Sequence, residues 1–154
     1  MRVSCNPAPC FVDPQRAVKI EECIFYQLSK ANQAAARFLG ERLAPSNVTA
    51  VQGVVLNFLS EQDAITSKQL GQRTKLDSAN LTGILDRLEV LGLVERRPNP
   101  ADRRAILICL SRKGKKIASD VHKVIQKANR ELLAGFGVQE ERGLKAMLRQ
   151  IHHG

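Results

Sequence analysis

Tryptophan is absent from this 154-residue chain, tyrosine occurs once, and five phenylalanines complete its aromatic set. So thin a supply of rings disfavours an all-β sandwich and suits helices packed through Leu, Val, Ile and Ala. No run approaches the ~20 apolar residues of a membrane-spanning helix. Met1 to Val12 also lacks the apolar stretch of a secretion signal, so the expected location is the cytoplasm, without a membrane partner. Metal chemistry is poorly provided for. The four cysteines and three histidines show no zinc-ligand spacing, so neither a metal nor a cofactor is expected. No cysteine stands beside a base and an oxyanion site, which argues against a thiol enzyme and against an enzyme generally.

Acids are the other shortage. Fifteen Asp and Glu stand against 24 Lys and Arg, giving a net charge of +9. An excess of that size points to a polyanionic partner such as nucleic acid. At 154 residues and 44% apolar content the chain is globular and holds one core.

The chain is well punctuated. Residues 1–12 carry Pro7, Pro9, Cys5 and Cys10 and read as a loose arm. Asp13-Pro14 reads as a helix start, and Ile20, Ile24, Leu28, Ala31, Ala35, Phe38 and Leu39 recur at helical spacing until Gly40 and Pro45 intervene. Thr49-x-x-Gln52 and Thr66-x-x-Gln69 are capping boxes, and Ile65 with Leu70 suits a hydrophobic staple over the second. Asp77 caps a further helix with an apolar stripe of Leu81, Ile84, Leu85, Leu88 and Leu91, closed by Gly92. Two short strands follow, Leu93–Arg97 and Ala105–Leu110, joined by a turn rich in Pro, Asn and Asp. Ser111 caps a long helix broken at Gly135 and Gly137, and a last helix carries Leu144, Met147, Leu148 and Ile151.

The expected fold is therefore mostly α with a small β-hairpin wing, a winged helix-turn-helix. The expected boundaries are an arm at 1–12, long helical segments at 13–44 and 112–154, and a DNA-binding lobe at 45–111. From Arg96 to Lys116 eight basic residues face one acid, Asp102. Such a concentration repels itself unless an anion binds, so Arg96, Arg97, Arg103 and Arg104 become candidate contacts to double-stranded DNA. A winged-helix module that binds protein instead of DNA is the alternative from another class, and the basic hairpin speaks against it.

The order of these motifs resembles the MarR family of bacterial regulators. The resemblance is carried by Leu76-Asp77-Ser78, by the Gly92-Leu93-Val94-x-Arg96 segment, by Asp102-Arg103-Arg104 and by Leu110-Ser111-Arg112-Lys113-Gly114, and it spans residues 17 to 151. It implies a homodimeric transcriptional regulator, most simply a repressor, with a helical dimerisation domain formed by the segments 13–44 and 112–154 beside the winged helix-turn-helix. By position, its recognition helix falls on Asp77–Leu91, with Ser78, Ala79, Asn80, Thr82, Gly83 and Arg87 towards the groove. Ser67, Lys68 and Gln69 would touch the backbone, Arg104 would be the wing-tip arginine, and Asp102 would hold its guanidinium. The resemblance also implies release by a small aromatic effector, with Phe25, Tyr26, Phe38, Arg42, Val55 and Phe58 as lining candidates. An oxidative input is the alternative. Cys23-Ile24-Phe25-Tyr26 resembles the segment of a peroxide-sensing branch, and Cys5 and Cys10 are further redox candidates, although Glu21 and Glu22 are poor neighbours for a sensor thiolate.

Overall fold

The computed structural model describes residues 19–102 and 104–153, without the side chains of 152 and 153. The expected arm, its Cys5 and Cys10, the Asp13-Pro14 helix start and Arg103 lie outside the described residues. The chain divides into two compact units, residues 1–33 and 34–154.

In the first unit Ile20–Glu22 forms a single 3-10 turn and Cys23 is extended, with ψ 125°. Helix α1, Ile24–Leu43, therefore begins later than the apolar spacing suggests and also ends later. One glycine costs a helix only about 1 kcal/mol relative to alanine, so α1 runs through Gly40. It stops where Pro45 enters a 3-10 turn, Ala44–Ser46, closed by Asn47 in the left-handed region.

The second unit contains the elements expected of the lobe, starting with α2 (Ala50–Glu61), a two-residue strand β1 (Ile65–Thr66), α3 (Ser67–Thr74) and α4 (Ser78–Val90). Then come β2 (Val94–Pro98), β3 (Ile106–Leu110), α5 (Arg112–Leu132) and α6 (Val138–His153). Both capping boxes form with their reciprocal bonds. The hairpin pairs Val94 with Leu110 through to Pro98 with Ile106. Strand β1 adds to its far side, with Ile65 opposite Ile108, so the sheet has three strands in the order β1-β3-β2. Two residues offer no period to read, and Thr66 serves both as strand and as helix cap, so β1 is invisible in the sequence.

The core is almost wholly aliphatic. Val55, Leu56 and Leu59 of α2, Leu70 of α3, Leu81, Leu85 and Leu88 of α4, Ile108 of β3 and Val121 of α5 are all essentially inaccessible. Each such side chain contributes roughly 1.5–3 kcal/mol by leaving water, so α4 is anchored by one face and free to show the other.

Two junctions set the wing against the helices. Helix α4 ends in a Schellman motif: Gly92 N–H bonds Glu89 C=O at 2.8 Å and Leu93 N–H bonds Leu88 C=O at 2.9 Å. Gly92 has φ +69°, the left-handed conformation that this ending needs. Ser111 then locks α5 onto the same corner, its hydroxyl donating to Gly92 C=O at 2.6 Å and accepting from Gly114 N–H at 2.9 Å. Gly114 lies so close that an added Cβ would sit 1.8 Å from the Leu93 carbonyl oxygen.

The second junction is Asp63. Its Oδ1 accepts Leu110 N–H at 2.8 Å and Ala64 N–H at 2.9 Å, and Oδ2 lies 3.2 Å from Lys115 Nζ. Burial pushes this carboxyl up, but the Leu110 and Ala64 amides and Lys115 outweigh it, and the net shift is downward.

Candidate nucleic-acid interface

Helix α3 starts on the Thr66 cap, and Gln69 returns its Oε1 to Thr66 N–H at 2.9 Å. The carboxamide of Gln69 is thus partly occupied by local structure, while Lys68 is exposed and Ser67 half-buried. Arg73 ties α3 to the end of α2 through a 2.8 Å ion pair with Glu61. The turn out of α3 is made by Lys75 at φ +57°. Thr74 supports it by donating to Leu70 C=O at 2.9 Å.

Asp77 caps α4, accepting Asn80 N–H at 2.9 Å, and its second oxygen accepts from the Asn80 side-chain amide. These two bonds, the backbone one first, hold the Asp77 carboxyl below its ordinary range, so it is ionised at neutral pH. Along the helix, Ser78, Ala79, Asn80, Thr82, Gly83 and Arg87 are all exposed, opposite the buried leucines. Thr82 turns its hydroxyl back to Ser78 C=O at 2.7 Å. One shallow surface groove joins Ser67 and Lys68 of α3 to Ser78 of α4, and another runs along Ala79, Asn80, Gly83 and Arg87 beside Val51. The first turns of α3 and α4 thus line neighbouring surface grooves.

The wing is less basic outward than its composition suggests. Arg96 lies 2.6 Å from Asp86 and also pairs with Glu89, bracing β2 against α4. The Asp86 bond is the main reason that its guanidinium is held above its ordinary value. Arg97 folds onto Glu95 at 2.7 Å. The acids that take up these charges, Asp86, Glu89 and Glu95, all precede Arg96 in the sequence. The readable signal was the spacing of Asp86 and Glu89 on one face of α4, three residues apart and level with the hairpin. At the wing tip Asp102 accepts Arg104 N–H at 3.0 Å, and its carbonyl accepts Ala105 N–H at 2.9 Å. The described contact between Asp102 and Arg104 is therefore turn capping through the backbone, and the side chain of Arg104 is exposed.

The six candidate effector residues are divided between the two units. Phe25 and Tyr26 belong to the first unit and are exposed. In the second unit Val55 is completely buried in the core and Phe58 is packed against it. Phe38 and Arg42 do meet: the guanidinium carbon lies 3.3 Å from the ring centroid, and Nε is 2.8 Å from Glu131. Phe38 also lines an apolar groove of about 160 Å³ with Ala35, Leu39, Ile125, Ala128, Asn129 and Leu132. Of the redox candidates, Cys23 is half-buried in the first unit. Cys109, buried in β3, has its thiol pushed up by that burial.

His122 of α5 is half-buried. Its Nδ1 lies 2.7 Å from Asn57 Oδ1 and its Nε2 lies 2.7 Å from Gln126. Asn57 donates in turn to Glu61, the partner of Arg73, so polar contacts run from α5 through α2 to α3. Sequence reasoning missed this chain because its members lie 65 residues apart. Among the described residues no cluster of His, Cys, Asp and Glu is arranged for a metal, and no helix is long and apolar enough to cross a membrane.

Comparison with known proteins agrees with this geometry. The MarR family model matches residues 46–105, from the 3-10 turn before α2 to the wing. The multiple antibiotic resistance protein MarR of Escherichia coli K12 is 35% identical over 121 residues, covering 78% of this chain and 84% of that protein. A crystal structure of a mutant of that protein complexed with operator DNA superposes with a TM-score of 0.78 at 32% identity, over 86% of this chain and 96% of the other. A probable transcriptional regulator from Pseudomonas aeruginosa gives 0.81 at 28% identity, over 86% and 99%. The organic hydroperoxide resistance transcriptional regulator of Bacillus subtilis is 31% identical over 97 residues, covering 63% of this chain and 66% of that one. The mostly helical fold, the winged helix-turn-helix and the extent of these matches place the chain in the MarR family of DNA-binding transcriptional regulators, which are not enzymes.

Proposed function

We propose that the chain acts in the cytoplasm as a homodimer, binds a specific operator duplex and represses transcription until an effector releases it. The exposed polar face of α4 carries this reading. Ser78, Asn80, Thr82 and Arg87 stand clear of the core on a helix whose N-terminal end is bare enough to enter a major groove. Lys68 on one side and the Arg104 wing tip on the other would meet phosphates, while Arg96 and Arg97 act within the chain. Residues 45–111 then form the DNA-binding lobe.

A second copy is the natural cover for the apolar side chains that the terminal segments leave in water. In the second unit these are Leu132, Phe136, Met147, Leu148 and Ile151, and in the first Ile20, Ile24 and Phe25. This pattern supports dimerisation through the segments 13–44 and 112–154.

A small aromatic acid is the effector we favour. The groove beside Phe38 is smaller than the ~300 Å³ of an ordinary ligand site, so the ligand would have to widen it. Its carboxylate would compete with Glu131 for Arg42, and only a difference in affinity between DNA-competent and incompetent dimers would make it an inducer. A thiol-switched regulator of the same fold is the second reading, supported by the reachable Cys23 and by the similarity to the hydroperoxide-resistance regulator.

Selection of bound duplexes from a random pool, repeated with aromatic acids and with peroxide, tests all of this. A palindromic consensus lost on adding an aromatic acid is expected. Selection without any sequence preference refutes operator binding, and a peroxide response abolished by Cys23→Ser would replace the aromatic ligand with the thiol.

A further inference from the structure

Asn80 is fixed twice by Asp77, through its backbone N–H at 2.9 Å and through its side-chain amide. A carboxylate only accepts hydrogen bonds, so it is the nitrogen of the Asn80 amide that faces Asp77 and the oxygen that faces away. One amide hydrogen is consumed by this bond. The other remains beside Oδ1, and together they form a donor–acceptor edge.

That edge matches one base in the major groove. Adenine offers an acceptor at N7 and a donor at N6, whereas guanine offers two acceptors and would set its O6 against Oδ1. Thymine presents an acceptor and a methyl group, and cytosine a lone donor. The helix also permits a close approach. Ala79 and Gly83 are exposed, and a Cβ added at Gly83 would meet nothing within 4 Å. A relative of the same fold has been crystallised on operator DNA, so a duplex is the ligand this face has to fit.

We propose that Asp77 is a positioning residue that locks the Asn80 amide in the orientation that reads adenine, so that the Asp77–Asn80 pair sets one base of each half-site. This rests on the assignment of α4 as the reading helix. An amide released from Asp77 turns freely and can offer both hydrogens to the two acceptors of guanine. Discrimination, and not affinity as such, is what the carboxylate provides.

The test is the base-preference matrix from random-pool selection, determined for wild type, Asp77→Ser and Asn80→Asp. Serine is as good an N-cap as aspartate, so Asp77→Ser keeps the bond to Asn80 N–H and loses only the hold on the amide. Wild type is expected to prefer adenine over guanine by about 5- to 150-fold at one position per half-site. In Asp77→Ser that ratio collapses to a few-fold, while the other positions and the thermal midpoint are retained. Asn80→Asp, which can only accept, shifts the same position towards cytosine. An unchanged matrix in Asp77→Ser overturns the proposal, and so does a uniform gain of affinity across all sequences, which would mark Asp77 as a mere repellent of phosphates. A wild-type pool with no consensus overturns the reading helix itself, and a consensus with no Asn80-dependent adenine overturns the proposal alone.

Discussion

Replacing Gly114 by alanine puts a methyl group 1.8 Å from the Leu93 carbonyl oxygen and 2.9 Å from its carbon. Relief requires the first turn of α5 to withdraw by more than about 1 Å, since a carbon–oxygen contact settles near the van der Waals range. The turn cannot withdraw freely. Ser111 N–H bonds that same Leu93 oxygen at 3.1 Å, and its hydroxyl bonds Gly92 C=O at 2.6 Å. Losing both bonds costs about 1 kcal/mol each, and overpacking a fitted junction a further ~1–3 kcal/mol. The better helix propensity of alanine returns about 1 kcal/mol. The net loss is about 2–4 kcal/mol, a large share of the ~5–15 kcal/mol of a typical domain. In a chain of this length it lowers the thermal midpoint by roughly 5–15 °C, read by far-ultraviolet circular dichroism. Gly40→Ala is the control, because its Cβ meets nothing within 4 Å in the interior of α1. It should be neutral or stabilising by up to about 1 kcal/mol. Equal midpoints for Gly114→Ala and wild type would refute the claim that α5 is wedged onto the α4–β2 corner.

Asp63→Asn should cost about 1–2 kcal/mol at neutral pH in urea unfolding, discounted because the carboxylate is partly exposed. The Asp63 carboxyl lies below its ordinary value in the folded protein, so its stabilisation is present above the unfolded pKa of ~3.9 and fades as pH falls through the lower folded value. The gap between wild type and variant should therefore close in acid, and a gap of equal size at pH 7 and pH 3 would contradict the assignment. Asn57→Ala cuts the polar chain between α5 and α3 at its middle and should lower stability by about 1–2 kcal/mol. Proton exchange of the α2 and α3 amides would show whether the loss is local, and unchanged exchange would break the link to α3.

Much of the lobe is legible in sequence because its signals are local. Thr49 with Gln52, Thr66 with Gln69, and Asp77 each act within three residues, and each forms as its spacing requires. The period of α4 sends Leu81, Leu85 and Leu88 inward and so leaves the polar face by exclusion. What escapes is whatever depends on distant partners. Strand β1 exists only because β3, some 40 residues later, offers Ile108 and Leu107 to pair with it. The Leu110 amide is satisfied by Asp63, 47 residues away, a pairing that no spacing rule announces. The start of α1 is a milder case. The apolar recurrence through Ile20 and Ile24 is real, yet the backbone at Cys23 is extended, and a side-chain period does not report where helical dihedrals begin.

The same distinction bears on charge, where counting residues and counting contacts give different answers. Four arginines of the wing look alike in sequence. In the structure Arg96 is bound to Asp86 and Glu89, Arg97 to Glu95, and Arg104 extends from a turn capped by Asp102. A cation already neutralised by a carboxylate releases few counterions from DNA, because the acid travels with it. Each cation that truly meets a phosphate contributes about 0.9 to the slope of log affinity against log salt. Arg104→Ala should therefore flatten that slope by about 1 per protomer and weaken binding to all sequences alike. Arg96→Ala should leave the slope nearly unchanged while exposing Asp86 and Glu89 beside the duplex, so affinity falls through repulsion. Fluorescence anisotropy of a labelled operator between about 50 and 200 mM salt, the range over which phosphate contacts dominate, separates the two. Equal slope changes for both variants would mean that Arg96 leaves its acids on binding, and that the outward charge is set by composition after all.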